Sequence, residues 1–197
     1  MKEDIKISRP SVFQVKKYIT HLDSLENYTL QEKSLKKLFL KTYPYNVRIE
    51  DVLIKVCSLN DFYSTHILSP FTIAKHIVSL KIDKDLLKED LALVNKISKV
   101  EMNDGRTINF YSFATKYCSH HKPKVYPIYD YYVEKILMYF KGKDSFSDFK
   151  RDDIREYARY RDIIIEFQQF YGLKKYNLKQ IDKYLWQLGK EYFPRTY

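Results

Sequence analysis

Glycine is scarce in this chain, with 4 residues in 197, about a third of its usual frequency. This scarcity excludes a collagen-like repeat and glycine-rich linkers, and it disfavours turn-dense all-β folds. Neither G-x-G-x-x-G nor G-x-x-x-x-G-K followed by Ser or Thr occurs. The two standard phosphate-cradling loops are therefore absent.

Cysteine, metal-ligand patterns and long apolar runs are also few. Cys57 and Cys118 are the two cysteines, too few for a disulfide framework, so we expect reduced thiols and a cytoplasmic location. The five histidines form no metal pattern, and we expect no metal and no other cofactor. No apolar stretch approaches about 18 residues, and the N-terminus carries no apolar signal core, so we expect no membrane partner.

Positive charge and aromatic rings are plentiful. Lys and Arg number 35 against 25 Asp and Glu, a formal charge of +10, and there are 19 Tyr and 12 Phe. This combination is typical of nucleic-acid binding, because cations contact phosphates and rings stack on bases. Charge of this size also serves solubility, so composition leaves both explanations open.

Apolar residues recur three to four apart along nearly the whole chain, which predicts a mainly α fold. Ser11 is the expected N-cap of the first helix, and Thr29 is expected to open the second. Pro70 suits the first turn of a further helix. The spacing predicts one helix over Asp83–Lys99.

Turn signals divide the second half of the chain. Asn103-Asp104-Gly105-Arg106 predicts a small hairpin. Asp130 is expected to begin a helix that ends at Gly142, and Asn177 to begin the last helix. We expect residues 1–142 to form a helical core, with a C-terminal helical pair, residues 143–197, packing on it as part of the same structural unit.

Two segments combine polar groups with aromatic rings at helix ends. In the first, an apolar helix leads into Asn60-Asp61-Phe62-Tyr63. In the second, Tyr126-Pro127-Ile128-Tyr129 delivers Asp130 to the start of an amphipathic helix. Helix capping alone would explain both placements.

The second segment, continuing to Val133 and Lys135-Ile136-Leu137, resembles the catalytic stretch of the helix-hairpin-helix (HhH-GPD) DNA glycosylase superfamily. Adenine-mismatch glycosylases of that group carry Phe-Pro-Ile-Leu-Asp, then Val, then Arg-Val-Leu. The first segment, with Cys57-Ser58-Leu59-Asn60, resembles the Cys-Ser-Ser-Asn-Asn-Asn stretch of 8-oxoguanine glycosylases. The resemblance covers residues 49–140, and these two short stretches carry it.

The resemblance implies a role for several residues. Asp130 would be the catalytic carboxylate, and Ser112 occupies the place where monofunctional members often have Ser or Thr. Lys116, one turn further along, is the alternative nucleophile. Asn60, with Asp61 beside it, would fill the gap left by a flipped base. The implied enzyme is monofunctional and uses water.

Further residues would contact DNA or the extruded base. Expected DNA contacts are Arg106, His120, Lys122 and Lys124, while Phe62, Tyr63, Tyr111 and Tyr129 would line the base pocket. Each ring is alternatively a core residue, and His120 is alternatively a cation at a helix end. The family's hairpin normally reads Leu-x-Gly-(Val/Ile)-Gly, whereas this chain offers Gly105 alone, so the expected hairpin is degenerate.

The sequence therefore predicts a mainly α, HhH-GPD-like DNA glycosylase that excises a damaged or modified base by hydrolysing its N-glycosidic bond. Its partner would be duplex DNA holding such a base. We expect a monomer, in the cytoplasm and associated with the nucleoid if the source is bacterial. A non-catalytic helical DNA-binding module and a protein-interaction domain are the alternatives.

Overall fold

A computed structural model describes residues 6–194 of the chain. That range is mainly helical, as predicted, and its two short strands form one small antiparallel sheet. The helix-hairpin-helix architecture itself stays a prediction. None of the helices between residues 6 and 194 has the length and apolar character needed to cross a lipid bilayer.

The elements follow one another through short connections. The helices are α1 (Val12–Ser24), α2 (Glu26–Lys37), α3 (Ile49–Tyr63), α4 (Pro70–Ser79), α5 (Asp83–Lys88), α6 (Leu93–Ser98), α7 (Tyr111–His121), α8 (Tyr131–Asp144), α9 (Tyr157–Phe170) and α10 (Leu178–Tyr192). A π-helical turn, Leu38–Thr42, extends α2, and a 3-10 helix, Arg151–Arg155, precedes α9. Strands β1 (Lys99–Glu101) and β2 (Thr107–Asn109) form the predicted hairpin between α6 and α7.

Several predicted helix starts are confirmed. The Ser11 hydroxyl accepts the backbone N–H of Gln14 at 3.3 Å and so caps α1. Pro70 lies in the first turn of α4, where its missing N–H costs nothing. Asn177 and Gln180 form a reciprocal capping box at the start of α10, which satisfies two otherwise unpaired donors.

Other predicted boundaries are wrong. Thr29 lies inside α2, whose N-cap is Leu25, and its hydroxyl donates to the Glu26 carbonyl at 2.9 Å instead of capping the helix. The predicted helix over Asp83–Lys99 is two helices, because Glu89 turns the chain with a left-handed φ of 58°.

The end of α8 is also displaced from its predicted position. Gly142 lies inside the helix, which ends instead at Asp144; the following residue, Ser145, is its C-cap, with a left-handed φ of 48°. A glycine inside a helix costs only about 1 kcal/mol, so the packing of the surrounding helix overrides it.

Buried tyrosines fix the extended segment that leads to α8. The hydroxyl of Tyr157 donates to the Pro127 carbonyl at 2.9 Å, and that of Tyr160 donates to the Ile128 carbonyl at 2.6 Å. Both rings are fully buried within one hydrophobic cluster that runs from α1 to α10. The residues just before Asp130 are thus held against α9 by directional bonds.

Helices α8 and α10 meet at Gly189. A Cβ added there would lie 2.5 Å from the carbonyl oxygen of Tyr132 and 2.6 Å from its Cβ. Real Cβ atoms do not approach backbone this closely, so only glycine permits the crossing. Tyr132 is in the first turn of α8, and the contact therefore sets where that helix begins.

We expect Gly189→Ala to destabilise the protein by about 1 to 3 kcal/mol, the usual cost of overpacking a core. Gly142→Ala is the matched control, since a Cβ there meets nothing within 4 Å and alanine is the better helix former, by about 0.5 to 1 kcal/mol. Urea unfolding measures both free energies. Equal stability of the two variants would contradict the close crossing.

A buried polar network joins α3, α5 and α7 through Asn46. Its side-chain oxygen accepts from Lys55 Nζ at 2.6 Å, from the Tyr117 hydroxyl at 2.6 Å and from His121 Nε2 at 3.2 Å, while its amide donates to Asp83 at 2.6 Å. Burial, and next the Lys55 charge, lower the pKa of His121 to about 3. The ring is therefore neutral at physiological pH.

We expect His121→Gln to flatten the acid dependence of stability. The folded pKa of about 3 lies below the ordinary value of 6.5, so the unfolded state binds more protons between these values and stability falls as the pH drops through that window. Urea unfolding from pH 7 to pH 4 should show a shallower loss in the variant. His21→Gln, on the exposed end of α1, is the control, and identical slopes in all three proteins would refute the assignment.

Candidate functional site

A cavity of about 440 Å³ opens where the first turns of α7 and α8 face the end of α3 and the 3-10 helix. Its volume falls in the range of small-molecule sites, about 300 to 1,000 Å³. We call it the main cavity because Ser112, Lys116 and Asp130, the predicted catalytic residues, line it. The charged residues that line it are Lys116, Asp130, Glu134, Arg151 and Arg155.

Asp130 is both a helix cap and a cavity residue. One carboxylate oxygen accepts the backbone N–H of Tyr132 at 2.9 Å, which caps α8 as predicted. The other lies 4.0 Å from Lys116 Nζ. The lysine side chain is 4% exposed and the aspartate 23%, so the carboxylate is the more accessible member of this ion pair.

Ser112 and Lys116 lie one turn apart on α7 and therefore share a face. Lys116 Nζ donates to the Ser112 hydroxyl oxygen at 2.5 Å, and that hydroxyl donates to the Tyr129 carbonyl at 3.2 Å. The three predicted catalytic residues thus lie together in one cavity. Their catalytic role itself stays a prediction.

Three of the four predicted pocket rings line the main cavity. They are Tyr63, Tyr111 and Tyr129, and the centroids of the last two rings are 5.0 Å apart. Phe62 lies elsewhere: it lines a separate groove of about 520 Å³ beside Tyr28 and α10. The reason is helical geometry, because adjacent residues of α3 point about 100° apart.

Asn60 is occupied within its own loop. Its side-chain oxygen accepts from the Thr65 hydroxyl at 2.9 Å and from the Ile67 backbone N–H at 2.8 Å, and its amide donates to the Ile67 carbonyl at 3.0 Å. These bonds stabilise a loop with left-handed residues at Ser64 and His66. The gap-filling role stays a prediction, and it would require these bonds to break.

The predicted DNA contacts are not gathered at the main cavity. Arg106 lies on the hairpin turn, where its Nε donates to Asp104 at 2.8 Å. Lys122 is 3.7 Å from a Glu89 carboxylate oxygen. Asp61 and Lys124 are exposed. Within the part of the chain that the structure describes, residues 6–194, none of these four residues lines the main cavity.

His120 differs most from its predicted surroundings. It is buried, and its Nε2 lies 3.0 Å from the Tyr63 hydroxyl. Burial, with smaller contributions from nearby cations such as Lys179, lowers the pKa of its ring far below the ordinary value. A neutral, enclosed imidazole supplies no cation to a phosphate. The DNA contact predicted at His120 stays a prediction, and it would require this side chain to become accessible.

A narrow cleft joins the main cavity to helix α10, and we call it the α10 cleft. Tyr63, Lys116 and Asp130 line both spaces, and the cleft adds Tyr28, Ile128, Lys179, Asp182, Lys183 and Trp186. Tyr28 and Trp186 stack there with ring centroids 5.9 Å apart. Sequence reasoning missed these residues.

Asp182 is the principal omission. Burial raises its pKa to about 6, Lys179 opposes the shift, and the carboxylate of Asp130 raises the pKa further. The Lys179 Nζ is 3.7 Å away. The available signal was the position of Asp182 in the helix. It lies one turn before the buried Leu185 of α10 and therefore shares a face with an apolar residue, where a carboxylate is rarely buried without a partner.

Glu134 was detectable by the same signal. It lies one turn before Leu137 on the buried face of α8, and its side chain is 4% exposed. The Tyr129 hydroxyl donates to one of its oxygens, and Arg151 Nε donates to the other at 2.6 Å. A buried carboxylate of this kind requires charged partners.

Comparisons with known proteins place the chain in a family. Residues 14–125 match the family model HI_0787_N, described as an N-terminal domain. An uncharacterized protein of Haemophilus influenzae is 47% identical over 149 residues, which span 75% of this chain and 71% of that protein. The chain belongs to the HI_0787_N family.

The comparisons assign no activity. The family match includes Ser112 and Lys116 but ends before Asp130, and no solved structure matches the chain significantly. Among residues 6–194 there is also no cluster of three or more His, Cys, Asp or Glu placed to hold a metal ion. The function must therefore be inferred from the site.

We expect Asp182→Asn to stabilise the protein at pH 8 by roughly 1 to 3 kcal/mol. The folded pKa of about 6 exceeds the ordinary 3.8, so the folded state binds more protons between these values and wild-type stability declines as the pH rises through them. The amide carries no charge and avoids that decline. Chemical unfolding at pH 4 and pH 8 measures the free energy of unfolding of the variant and of wild type. The gain of the variant over wild type should be larger at pH 8, and an equal gain at both pH values would contradict the prediction.

Proposed function

We propose that the protein is a monofunctional DNA glycosylase that hydrolyses the N-glycosidic bond of a damaged or modified base. The observation that carries the proposal is the placement of the Asp130 carboxylate in the main cavity, 4.0 Å from the Lys116 ammonium and among three tyrosine rings. The resemblance around Asp130 independently favours the same chemistry.

The cavity suits cleavage of a glycosidic bond. The bond between the base and sugar C1′ breaks, and the base leaves with the electron pair and gains a proton from solvent. The carboxylate stabilises the oxocarbenium-like state and accepts a proton from the water whose oxygen bonds to C1′. A base inside a duplex must first leave the stack and enter a pocket. Tyr63 is the most accessible of the three cavity tyrosines, because Tyr111 and Tyr129 are buried and Arg155 lies over the Tyr129 ring. A base bound there would have its sugar beside Asp130.

Lys116 and Ser112 support the carboxylate in this scheme. The lysine contacts both the serine hydroxyl, at 2.5 Å, and Asp130, at 4.0 Å. An ammonium group with two polar partners orients them and adds positive charge, whereas a Schiff-base nucleophile must lose its proton first. We therefore propose that water, rather than Lys116, attacks the sugar.

Asp130→Asn should abolish base release and leave DNA binding intact or tighter. Asparagine caps helices as well as aspartate does, so the start of α8 is retained, while the negative charge that stabilises the transition state is lost. The assay incubates the purified protein with duplexes that each hold one modified or mismatched base, and alkali then cleaves the strand at abasic sites. Asp162→Asn, exposed on α9, is the matched control and should retain full activity.

The same experiment separates the other functions. Salt-dependent DNA binding without abasic product from any duplex would support a non-catalytic DNA-binding module, and no binding at moderate salt would support a protein-interaction domain. Borohydride trapping of a covalent complex that Lys116→Met removes would show a lyase and overturn the monofunctional assignment. Base release by Asp130→Asn at the wild-type rate would overturn the assignment of Asp130.

A further inference from the structure

We propose that Arg151 and Arg155 form a phosphate-binding site at the mouth of the main cavity, used by a phosphodiester of the bound DNA strand. The choice of DNA as the source of the phosphate rests on the proposed function. The site itself rests on the charges and geometry around Glu134. Neither arginine belongs to the residues that the sequence predicted as DNA contacts.

Two guanidinium groups converge on one buried carboxylate. Arg151 Nε is 2.6 Å from one oxygen of Glu134, and Arg155 Nη2 is 3.6 Å from the other. Among the residues that line the cavity, three cations (Lys116, Arg151 and Arg155) stand against two carboxylates (Asp130 and Glu134), so one positive charge is in excess there. Asp152, next to Arg151 and outside the lining, adds a negative charge nearby. Lys116 and Asp130, further inside, balance each other.

Both arginines keep donors directed to solvent. Their side chains are 64% and 52% exposed, against 4% for Glu134. A guanidinium carries five N–H donors, and the contact with Glu134 engages Arg151 through Nε. Their remaining donors can bind an anion at the cavity mouth without breaking the contact that holds them.

The two side chains are also oriented in advance. The Arg155 guanidinium lies over the Tyr129 ring, 4.8 Å from its centroid, and this cation–π contact favours that position of the side chain. Arg151 is held by a different contact, the hydrogen bond from its Nε to the Glu134 carboxylate. Because less conformational entropy is lost when groups are already placed, such a pair binds more tightly than two free surface arginines.

Phosphate is the ligand that this arrangement fits. Guanidinium forks match phosphate oxygens with parallel hydrogen bonds, and the pair of opposite charges makes those bonds strong. The arginines line the same cavity as Asp130. A nucleotide whose sugar lies beside Asp130 would therefore have its phosphate close to Arg151 and Arg155.

The test measures the salt dependence of DNA binding. Fluorescence anisotropy with a duplex holding a stable abasic-site analogue gives the slope of log K against log salt, to which each duplex phosphate contact contributes about 0.9. We expect Arg155→Gln to reduce the slope by about one contact and the double variant with Arg151→Gln by about two. Arg155→Lys keeps the charge and should retain the slope while weakening binding.

Arg48→Gln is the matched control, because Arg48 also pairs with a glutamate, Glu50, and is outside the cavity lining. Its slope should equal that of wild type. Thermal unfolding identifies any variant that fails to fold, and the exposed Arg155 with its looser ion pair is the safer of the two substitutions. If the arginine variants unfold earlier yet bind DNA with the wild-type slope and phosphate with the wild-type affinity, the pair is structural and the proposal is wrong.

Calorimetry with a nucleoside monophosphate and with inorganic phosphate separates the sources of phosphate. Binding of these small anions that depends on the arginines, with an unchanged DNA slope, would support the phosphate site but assign it to a free nucleotide. A reduced DNA slope without base excision by the wild-type protein would support the site while the proposed glycosylase fails. Base excision with no effect of either arginine on any slope or small-anion affinity would leave the glycosylase and overturn the phosphate site.

Discussion

The contact between Gly189 and the backbone of Tyr132 is the constraint on which the site depends. With no side chain at Gly189, α10 approaches the first turn of α8 until the two backbones almost touch. Asp130 caps that same turn, so its position is set by the helix crossing. The crossing also brings Asp182, half a helix away from Gly189, to the cleft that Asp130 shares.

Charge at the site is concentrated in a way that reduces stability. Asp182 and Glu134 are buried carboxylates, Lys116 is an almost enclosed cation, and two arginines share one partner. Buried charges are costly even when paired, and replacing them with apolar residues often stabilises a protein. A fold that retains this many of them around one cavity is more readily explained by ligand chemistry than by stability, which is the usual pattern at functional sites.

Local signals in the sequence predicted the elements better than their connections. The caps at Ser11 and Asn177 and the turn at Gly105 are determined by neighbouring residues, so they are predictable from the sequence alone. The break at Glu89 is not, because the apolar spacing runs on through it and only tertiary packing requires the left-handed residue there. Gly142 misled the prediction for the same reason: a glycine near a helix end usually marks that end, but tertiary packing lets α8 continue through it.

The site was predictable only in part. The helical spacing of Ser112 and Lys116, and the approach of Tyr129 to Asp130, are properties of contiguous segments. The contributions of Tyr28, Arg155 and Asp182 arise from chain segments far apart in sequence, and no periodicity reveals which of them will face the same space. The sequence did show one carboxylate on the apolar face of each of two helices, Glu134 on α8 and Asp182 on α10. A single polar residue in an apolar pattern is easily treated as an exception without meaning.

Trp186 is the one tryptophan among 197 residues, and it lies in the α10 cleft, stacked on Tyr28 and with Lys190 Nζ 4.7 Å from its ring centroid. Its indole emission therefore comes from a single known place. Because the cleft shares Asp130 and Lys116 with the main cavity, the indole lies close to the candidate site. Its fluorescence therefore reports the local structure of the α10 cleft without an added label, for instance during unfolding.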